Sequence, residues 1–488
     1  MASIVLATIN AKWIHPSLAL RLLKANLGGF ENSCEIMEFA LRQPLAEKVR
    51  PLIAARPRVL GLSVSIWNHA ATSELLEALS KEWGKPDAGE KPFVVLGGPE
   101  VSWLPREAEI FRHADYVICG EGEDRFRSLC FRLLNGEKPD TPSFAPPCNV
   151  EITAITSAYH FYTDEDLQRK LTYVEASRGC AFACEFCQAG IDKTAVREFP
   201  LHTFLEDMEK LIRRGARTFK FLDRSFNLNI TRAIAIAEFF LKQLQTAGEA
   251  SAHGETAFCV HFEMIPSRFP PELRDVIRCF PPGSLRLEIG IQTFNAQTAA
   301  LIGRTCKAEK EIEALEFLRR ETNAIIHADL IAGLPGEDFA SFGAGFDRLW
   351  QVLSGTHSSR FADSAASFEI QPGILKCLPG TAIVRHDTAY RMRYSPQPPY
   401  EVIETSALTE AELMRIKNFA RFWELIVNRN PFPDVLPLLL PPGKPAFDRF
   451  MFLSDRLLEL FGKNWGIDRQ ELRNAFVTFA VPHLPKLP

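Results

Sequence analysis

The chain has 488 residues, with 56 Lys and Arg against 60 Asp and Glu, for a net charge of −4. Its 46% hydrophobic and 24% charged content is that of an ordinary globular protein of roughly two to four domains, with no whole-molecule charge to attract nucleic acid. No apolar run approaches the roughly 18 residues of a membrane span, and eleven cysteines, mostly scattered singly, do not suit a secreted disulfide framework.

The N-terminal run Ser3–Ile9 reads as a strand rather than a leader, so a cytoplasmic enzyme is expected. Residues 3–9, 34–39, 59–66, 92–96 and 116–119 are short apolar or β-branched runs bounded by turn residues. Helical patterns lie between them at 17–27, 44–54, 70–83, 105–112 and 123–135. This alternation predicts a doubly wound parallel sheet over 1–145, with its ligand outside the carboxyl ends of the strands. The loops there are Asn10–Ser17, Ser65–Asn68, Gly97-Gly98-Pro99-Glu100 and Gly120-Glu121-Gly122-Glu123. Glycines in such loops admit a large flat or anionic ligand to the backbone; on pattern alone they are equally tight turns. The segments Val94–Glu100 and Asp115–Glu123 resemble the cobalamin-binding domain that precedes many radical SAM (S-adenosylmethionine) enzymes. The resemblance implies cobalamin contacts at Gly97, Gly98, Pro99, Gly120, Glu121 and Gly122. It departs at one point: no histidine here has Asp two residues before it, so the Asp-x-His-x-x-Gly that ligates cobalt from below is missing. The lower face of a corrin would be vacant or meet another group, and His15 reads as a turn or contact residue.

After an expected linker (146–168) and a strand at 171–176 comes Ser177-Arg178-Gly179-Cys180-Ala181-Phe182-Ala183-Cys184-Glu185-Phe186-Cys187. Three cysteines at this spacing on one loop can converge on a single metal centre, zinc or iron–sulfur. A structural zinc wants a fourth ligand, and the nearest downstream Cys or His is His202. Three ligands leave a coordination site open for a substrate. Cys-x3-Cys-x-aromatic-Cys, with Phe186 as the aromatic, resembles the signature of the radical SAM superfamily. The resemblance implies that Cys180, Cys184 and Cys187 hold a [4Fe-4S] cluster whose open iron chelates S-adenosylmethionine. Reductive cleavage would then yield a 5′-deoxyadenosyl radical, with electrons from a reduced flavodoxin or ferredoxin-type donor.

Strands at 171–176, 218–223, 258–264, 285–291, 324–331 and 367–371 alternate with helices at 203–214, 231–246, 271–279, 307–321 and 338–353. They predict a partial (β/α)6 barrel over 169–385, with its chemistry at the carboxyl ends of the strands. Those ends hold Asp223, Glu263, the Glu288-Ile289-Gly290-Ile291-Gln292 run and the Asp329-to-Gly336 run. By resemblance, Asp223 is placed to accept the methionine amino group and Glu263 to reach a ribose hydroxyl. Glu288, Gln292, Asp329, Gly333 and Pro335 fall in segments that line the adenosine. Arg213, Arg214 and Arg217 read as a solvated helix end, not a nucleic-acid patch.

Beyond Leu378-Pro379-Gly380-Thr381 the alternation stops. Ser395–Pro399 reads as a loop over the barrel mouth or a boundary, and 407–427, 446–462 and 469–480 as helices separated by the Pro-rich 431–445. This gives a helical C-terminal domain over 386–488. The whole resembles a cobalamin-domain radical SAM subgroup with an uncharacterised helical C-terminal domain. The expected activity is therefore methylation of an unactivated carbon or phosphorus centre in a small-molecule or peptide substrate, with the catalytic residues unassigned. Rivals are a non-methylating rearrangement, cyclisation or sulfur insertion, and a non-enzymatic iron–sulfur or zinc scaffold. Methylthiolation is disfavoured because no second cysteine triad precedes Cys180.

Overall fold

The computed structural model describes residues 2–85, 89–138, 149–191, 195–250, 257–305, 307–355 and 368–480. Parts of the expected layout lie outside the described residues, among them the end of the first domain with the start of the linker (139–148), the first residue of the sixth barrel strand (367) and the last eight residues.

The N-terminal third runs β1 (Ile4–Asn10), α1 (Leu18–Ala25), β2 (Cys34–Ala40), α2 (Leu45–Ala55), β3 (Val59–Ser63), α3 (His69–Trp83), β4 (Phe93–Gly97), β5 (Tyr116–Ile118) and α4 (Glu123–Leu134). Its strands pair in parallel in the order β2-β1-β3-β4-β5. Helices cover both faces, so all but the last residue of β1 is buried. The order reverses between β1 and β3, which opens a crevice at their carboxyl ends. Two expectations shift. The strand placed at 59–66 stops at Ser63, because Asn68 turns the chain there: its side chain accepts from Ser65 N and donates to Ile9 O. The helix placed at 105–112 is a single 3-10 segment, Glu109–His113, whose buried residues are the adjacent Ile110 and Phe111. Neighbouring apolar residues do not build a helical face.

The second sheet follows α5 (Asp164–Arg169). It comprises β6 (Thr172–Val174), β9 (Thr218–Phe221), β10 (Cys259–Met264), β11 (Leu285–Gln292), β12 (Ile325–Ala332) and β13 (Phe368–Ile374), all parallel and adjacent in chain order. A two-residue ribbon, β7 (Ser177–Arg178) with β8 (Arg197–Glu198), closes the cysteine loop. The intervening helices are α6 (Leu201–Arg213), α7 (Ile230–Ala250), α8 (Pro271–Arg278), α9 (Ala296–Leu301), α10 (Ala308–Glu321) and α11 (Phe339–Ser354). Unlike β1, these strands alternate. In β11 the residues Leu285, Leu287, Ile289 and Ile291 are buried, while Arg286, Glu288, Gly290 and Gln292 are only partly so. The apolar set faces the helices. The other set faces the barrel interior, where Lys220, His261, Glu288, His327 and Glu369 form a paired polar lining.

The last part contains α12 (Asp387–Tyr390), β14 (Arg393–Tyr394), β15 (Val402–Glu404), α13 (Glu410–Trp423), α14 (Leu436–Leu439), α15 (Phe447–Phe461) and α16 (Arg469–Ala480). Thr409 caps α13 in a reciprocal box with Glu412, so the helix starts later than its apolar pattern suggested. These helices share the barrel's core: Phe419 and Trp423 of α13 pack on Phe346 and Trp350 of α11 and on Phe450 of α15. A π-helical turn, Glu424–Asn428, ends α13 and delivers Asn428 to the open edge of β13. Its amide donates to Ile370 O at 3.0 Å and accepts from Ile370 N at 3.2 Å, pairing an edge strand that would otherwise be bare. Asn428→Ala is expected to cost about 2–3 kcal/mol of stability, since it orphans two partly buried backbone groups. Urea denaturation measures it, and a loss within the error of the wild-type midpoint would remove Asn428 from this role.

Candidate active site: two cavities with a common wall

The carboxyl ends of the two sheets face one another, and charged pairs hold them together. Arg21 of α1 binds both Glu38 and Asp166 at 2.9 Å. Arg178, just before the first cysteine of the motif, binds Glu123 and Glu175 at 2.7 Å, and Arg197 binds Glu121 and donates to Val150 O. Side chains this buried must be paired, so the contacts fix how the domains meet.

A cavity of about 520 Å³ lies at this junction. Gly97, Gly98, Pro99, Gly120, Glu121 and Gly122 all line it, as the sequence suggested, and Ser177, Arg178, Gly179 and Leu222 face them from the barrel. Gly98 adopts φ +106, and a Cβ there would stand 2.5 Å from Val64 O, so only glycine allows the turn. Deeper, Leu6, Leu20, Leu62, Val95 and Phe126 make an apolar slot. Gly61 keeps it open: a Cβ there would fall 2.8 Å from Leu6 and 3.2 Å from Phe126. An apolar slot with a glycine-lined polar mouth suits a corrin with an aromatic tail. None of the described residues lining it is His, Cys or Met. His15 is engaged elsewhere, with Nδ1 2.7 Å from the Tyr173 hydroxyl of β6.

A second cavity, of about 230 Å³, has Cys180, Cys184 and Cys187 in its wall. Burial raises the Cys180 and Cys184 thiols above their ordinary pKa, with Arg304 opposing it at Cys184. Among the described residues no three His, Cys, Asp or Glu stand ready to grip one ion. Thiols that share a cavity without closing on a point fit the corners of a four-iron cluster better than a single zinc.

Glu263, Glu288, Gln292 and Asp329 reach this same cavity from β10, β11 and β12, Glu288 and Asp329 from mid-strand. Gln292 sits at φ +68, where the register of β11 against β12 shifts. The acids are driven apart. Hydrogen bonding from His261, against the opposing effect of burial and with help from Lys220, pulls Glu288 down to about 2. Burial, then repulsion from Glu288 and Glu263, pushes Asp329 up to about 8. At neutral pH Glu288 is therefore an acceptor and Asp329 a protonated donor, a combination suited to a hydroxyl-rich, amino-bearing ligand.

Three expected residues lie elsewhere. Asp223 is buried beneath the cysteine loop, accepting from Ala176 N at 2.9 Å and Ser177 Oγ at 2.5 Å, and lines neither cavity. It pins the loop through those two bonds. Gly333 has φ +87 and packs beneath Val402 of β15, and Pro335 is buried in the same turn; neither lines a cavity. Three charged residues that the sequence did not single out also line the smaller one: Arg224, Arg304 and Glu311. Arg224 follows Asp223 directly, which was the one available signal; Arg304 follows α9, a helix the apolar pattern did not reveal.

Comparison with known proteins agrees with this layout. A B12 binding domain family model matches residues 4–130, the radical SAM superfamily model matches 174–348, and a protein of unknown function family, DUF4080, matches 388–481. The chain thus carries, in this order, a region that matches a B12 binding domain and a region that matches the radical SAM superfamily. It is similar to an uncharacterized methyltransferase, PH0819, of Pyrococcus horikoshii, at 28% identity over 37% of this chain and 42% of that protein. The chain thus spans about two fifths of the length of that curated relative. Among solved structures it resembles OxsB, a cobalamin-dependent S-adenosylmethionine radical enzyme with aqua-cobalamin bound: TM-score 0.65, 14% identity, 98% of this chain and 79% of that one. It also resembles the radical S-adenosylmethionine methyltransferase TsrM from Kitasatospora setae, with cobalamin and a [4Fe-4S] cluster bound: TM-score 0.59, 16% identity, 94% of this chain and all of that one. At these identities the likeness is one of fold. Among the described residues no helix is long and apolar enough to cross a membrane.

Proposed function

We propose that this protein is a cobalamin-dependent radical SAM methyltransferase. The observation that carries the reading is the pair of cavities, one glycine-walled and one cysteine-walled, that open from the carboxyl ends of two sheets and share Ala189 and Arg224. In this reading Cys180, Cys184 and Cys187 hold a [4Fe-4S] cluster, and Glu263, Glu288, Gln292 and Asp329 surround S-adenosylmethionine. The loops at 97–99 and 120–122 wall cobalamin. When bound, the cluster and S-adenosylmethionine supply a hydrogen-abstracting adenosyl radical, and cobalamin supplies the methyl group.

The chain's own part is to bind, orient and keep water out. Glu288, held ionised by His261 and Lys220, accepts hydrogen bonds, and protonated Asp329 donates one. The apolar slot excludes water behind the glycine loops. The polar barrel interior favours a polar small molecule or peptide segment as substrate over a lipid, and a reduced flavodoxin or ferredoxin-type protein as electron donor completes the reading.

Anaerobically isolated protein, reconstituted with iron, sulfide and hydroxocobalamin, is expected to hold corrin and cluster together. Electron paramagnetic resonance of its Co(II) form should lack the nitrogen superhyperfine splitting of an imidazole, because no histidine is among the described residues lining the large cavity. Absence of bound corrin would sink the cobalamin half of the reading; imidazole splitting that disappears in His15→Ala would make that residue a ligand.

A further inference from the structure

Arg224 is the charged residue common to the walls of both cavities. Its position is set by the residues before it. Leu222 N donates to Val174 O, and the Asp223 carboxylate accepts from Ala176 and Ser177, so the end of β9 is fastened to the strand that enters the cysteine motif. The backbone of Arg224 is thereby held next to the cluster loop.

The side chain is 57% accessible although it stands between two domains, because what it faces is the cavities. Its ion pair is loose: Nη1 lies 3.4 Å from Glu263 Oε1. Arg178 nearby differs, holding Glu123 and Glu175 at 2.7 Å. Cys180, Cys187, Glu263 and Glu288 share the wall of the smaller cavity with Arg224. A guanidinium that faces the cavities, and is this lightly tied to carboxylates, has much of its charge left for whatever occupies them.

We propose that Arg224 is a positioning residue whose fixed positive charge, in the wall shared by the two cavities, raises the reduction potential of the cluster held by Cys180, Cys184 and Cys187. This rests on the cofactor assignment above. The sign follows from charge. Cluster-bound thiolates would add negative charge to a cavity that Glu288 and Glu263 also line. Reduction adds one more electron there, so a nearby cation stabilises the reduced form more than the oxidised one. The alternative, that Arg224 receives an anionic substrate group, fits less well, because such a group would enter beside thiolates and carboxylates of its own sign. The shared wall also places the charge beside the corrin cavity, so one residue affects both sites.

The test is a potentiometric titration of the cluster signal, followed by electron paramagnetic resonance, in holoenzyme carrying Arg, Arg224→Gln or Arg224→Lys. At a fixed poise Arg224→Gln should lower the ratio of reduced to oxidised cluster at least tenfold, which for one electron is about 59 mV. Arg224→Lys, which keeps the charge, should recover most of that loss. An unchanged midpoint in Arg224→Gln at full iron content overturns the proposal. So does an equal shift in both variants, which would make shape rather than charge the cause. Loss of iron from both variants also overturns it, by showing a purely structural role. A wild-type protein that holds no cluster defeats the functional reading instead, so the two failures are distinct.

Discussion

Replacing Cys180, Cys184 and Cys187 together by Ala is expected to take bound iron from about four per chain to none and to abolish 5′-deoxyadenosine formation under dithionite. These three thiols line one cavity, and among the described residues only they offer thiolate ligands there. The fold should survive. The cysteines are only partly buried, and the loop is held by contacts that do not involve sulfur: Asp223 with Ser177 and Ala176, and Glu185 N with Ile302 O. Thermal unfolding of the metal-free proteins should therefore nearly coincide, whereas iron analysis and S-adenosylmethionine cleavage separate them completely. Iron retained by the triple variant would show that the ligands lie elsewhere. Zinc in place of iron in strictly anaerobic wild-type protein would favour the scaffold reading.

How legible a feature is in the sequence depends on how strongly it constrains the residues that build it. Strands buried on both faces, such as β1, and strands alternating between helix layer and barrel interior, such as β11, have patterns that a linear reading detects. The cysteines stood out because three thiols on one short loop seldom occur together except at a metal centre. The orientation of Asp223 is hidden for a different reason. Its position at a strand end is visible in sequence, but whether its carboxylate turns toward the cavity or back under the loop depends on Ala176 and Ser177, about fifty residues away in the chain. Gly333 and Pro335 are likewise turn residues, but the turn faces Val402, a contact belonging to the region with the weakest sequence pattern. Arg304 carried no signal, and Arg224 only its place directly after Asp223, since an arginine in a loop is ordinary until the cavity around it is known. Asn428 depended on a π-helical turn, which no periodicity of 3.6 announces.

The second large effect concerns the products. If the two cavities serve one reaction, each turnover should consume two molecules of S-adenosylmethionine: one cleaved at the cysteine cavity to 5′-deoxyadenosine, the other converted to S-adenosylhomocysteine as it restores the methyl group on cobalamin. The two products are expected together at close to one to one, with label from the methyl carbon appearing in the methylated substrate. The structure supports the pairing through proximity, because the cavities meet at Arg224 and Ala189 instead of opening on separate surfaces. A barrel that worked alone would have no need of a second cavity of about 520 Å³ against its own strand ends. Distorting the loop that walls that space gives the control. Gly98→Val forces a side chain against Val64 O and into the loop that walls the larger cavity, while leaving the cysteine cavity untouched. It should abolish S-adenosylhomocysteine and methylated product, yet leave slow, uncoupled 5′-deoxyadenosine formation within a few-fold of wild type. Deoxyadenosine without S-adenosylhomocysteine, on a substrate shown to be transformed by the wild-type enzyme, would exclude methylation and favour a rearrangement or cyclisation in the same barrel.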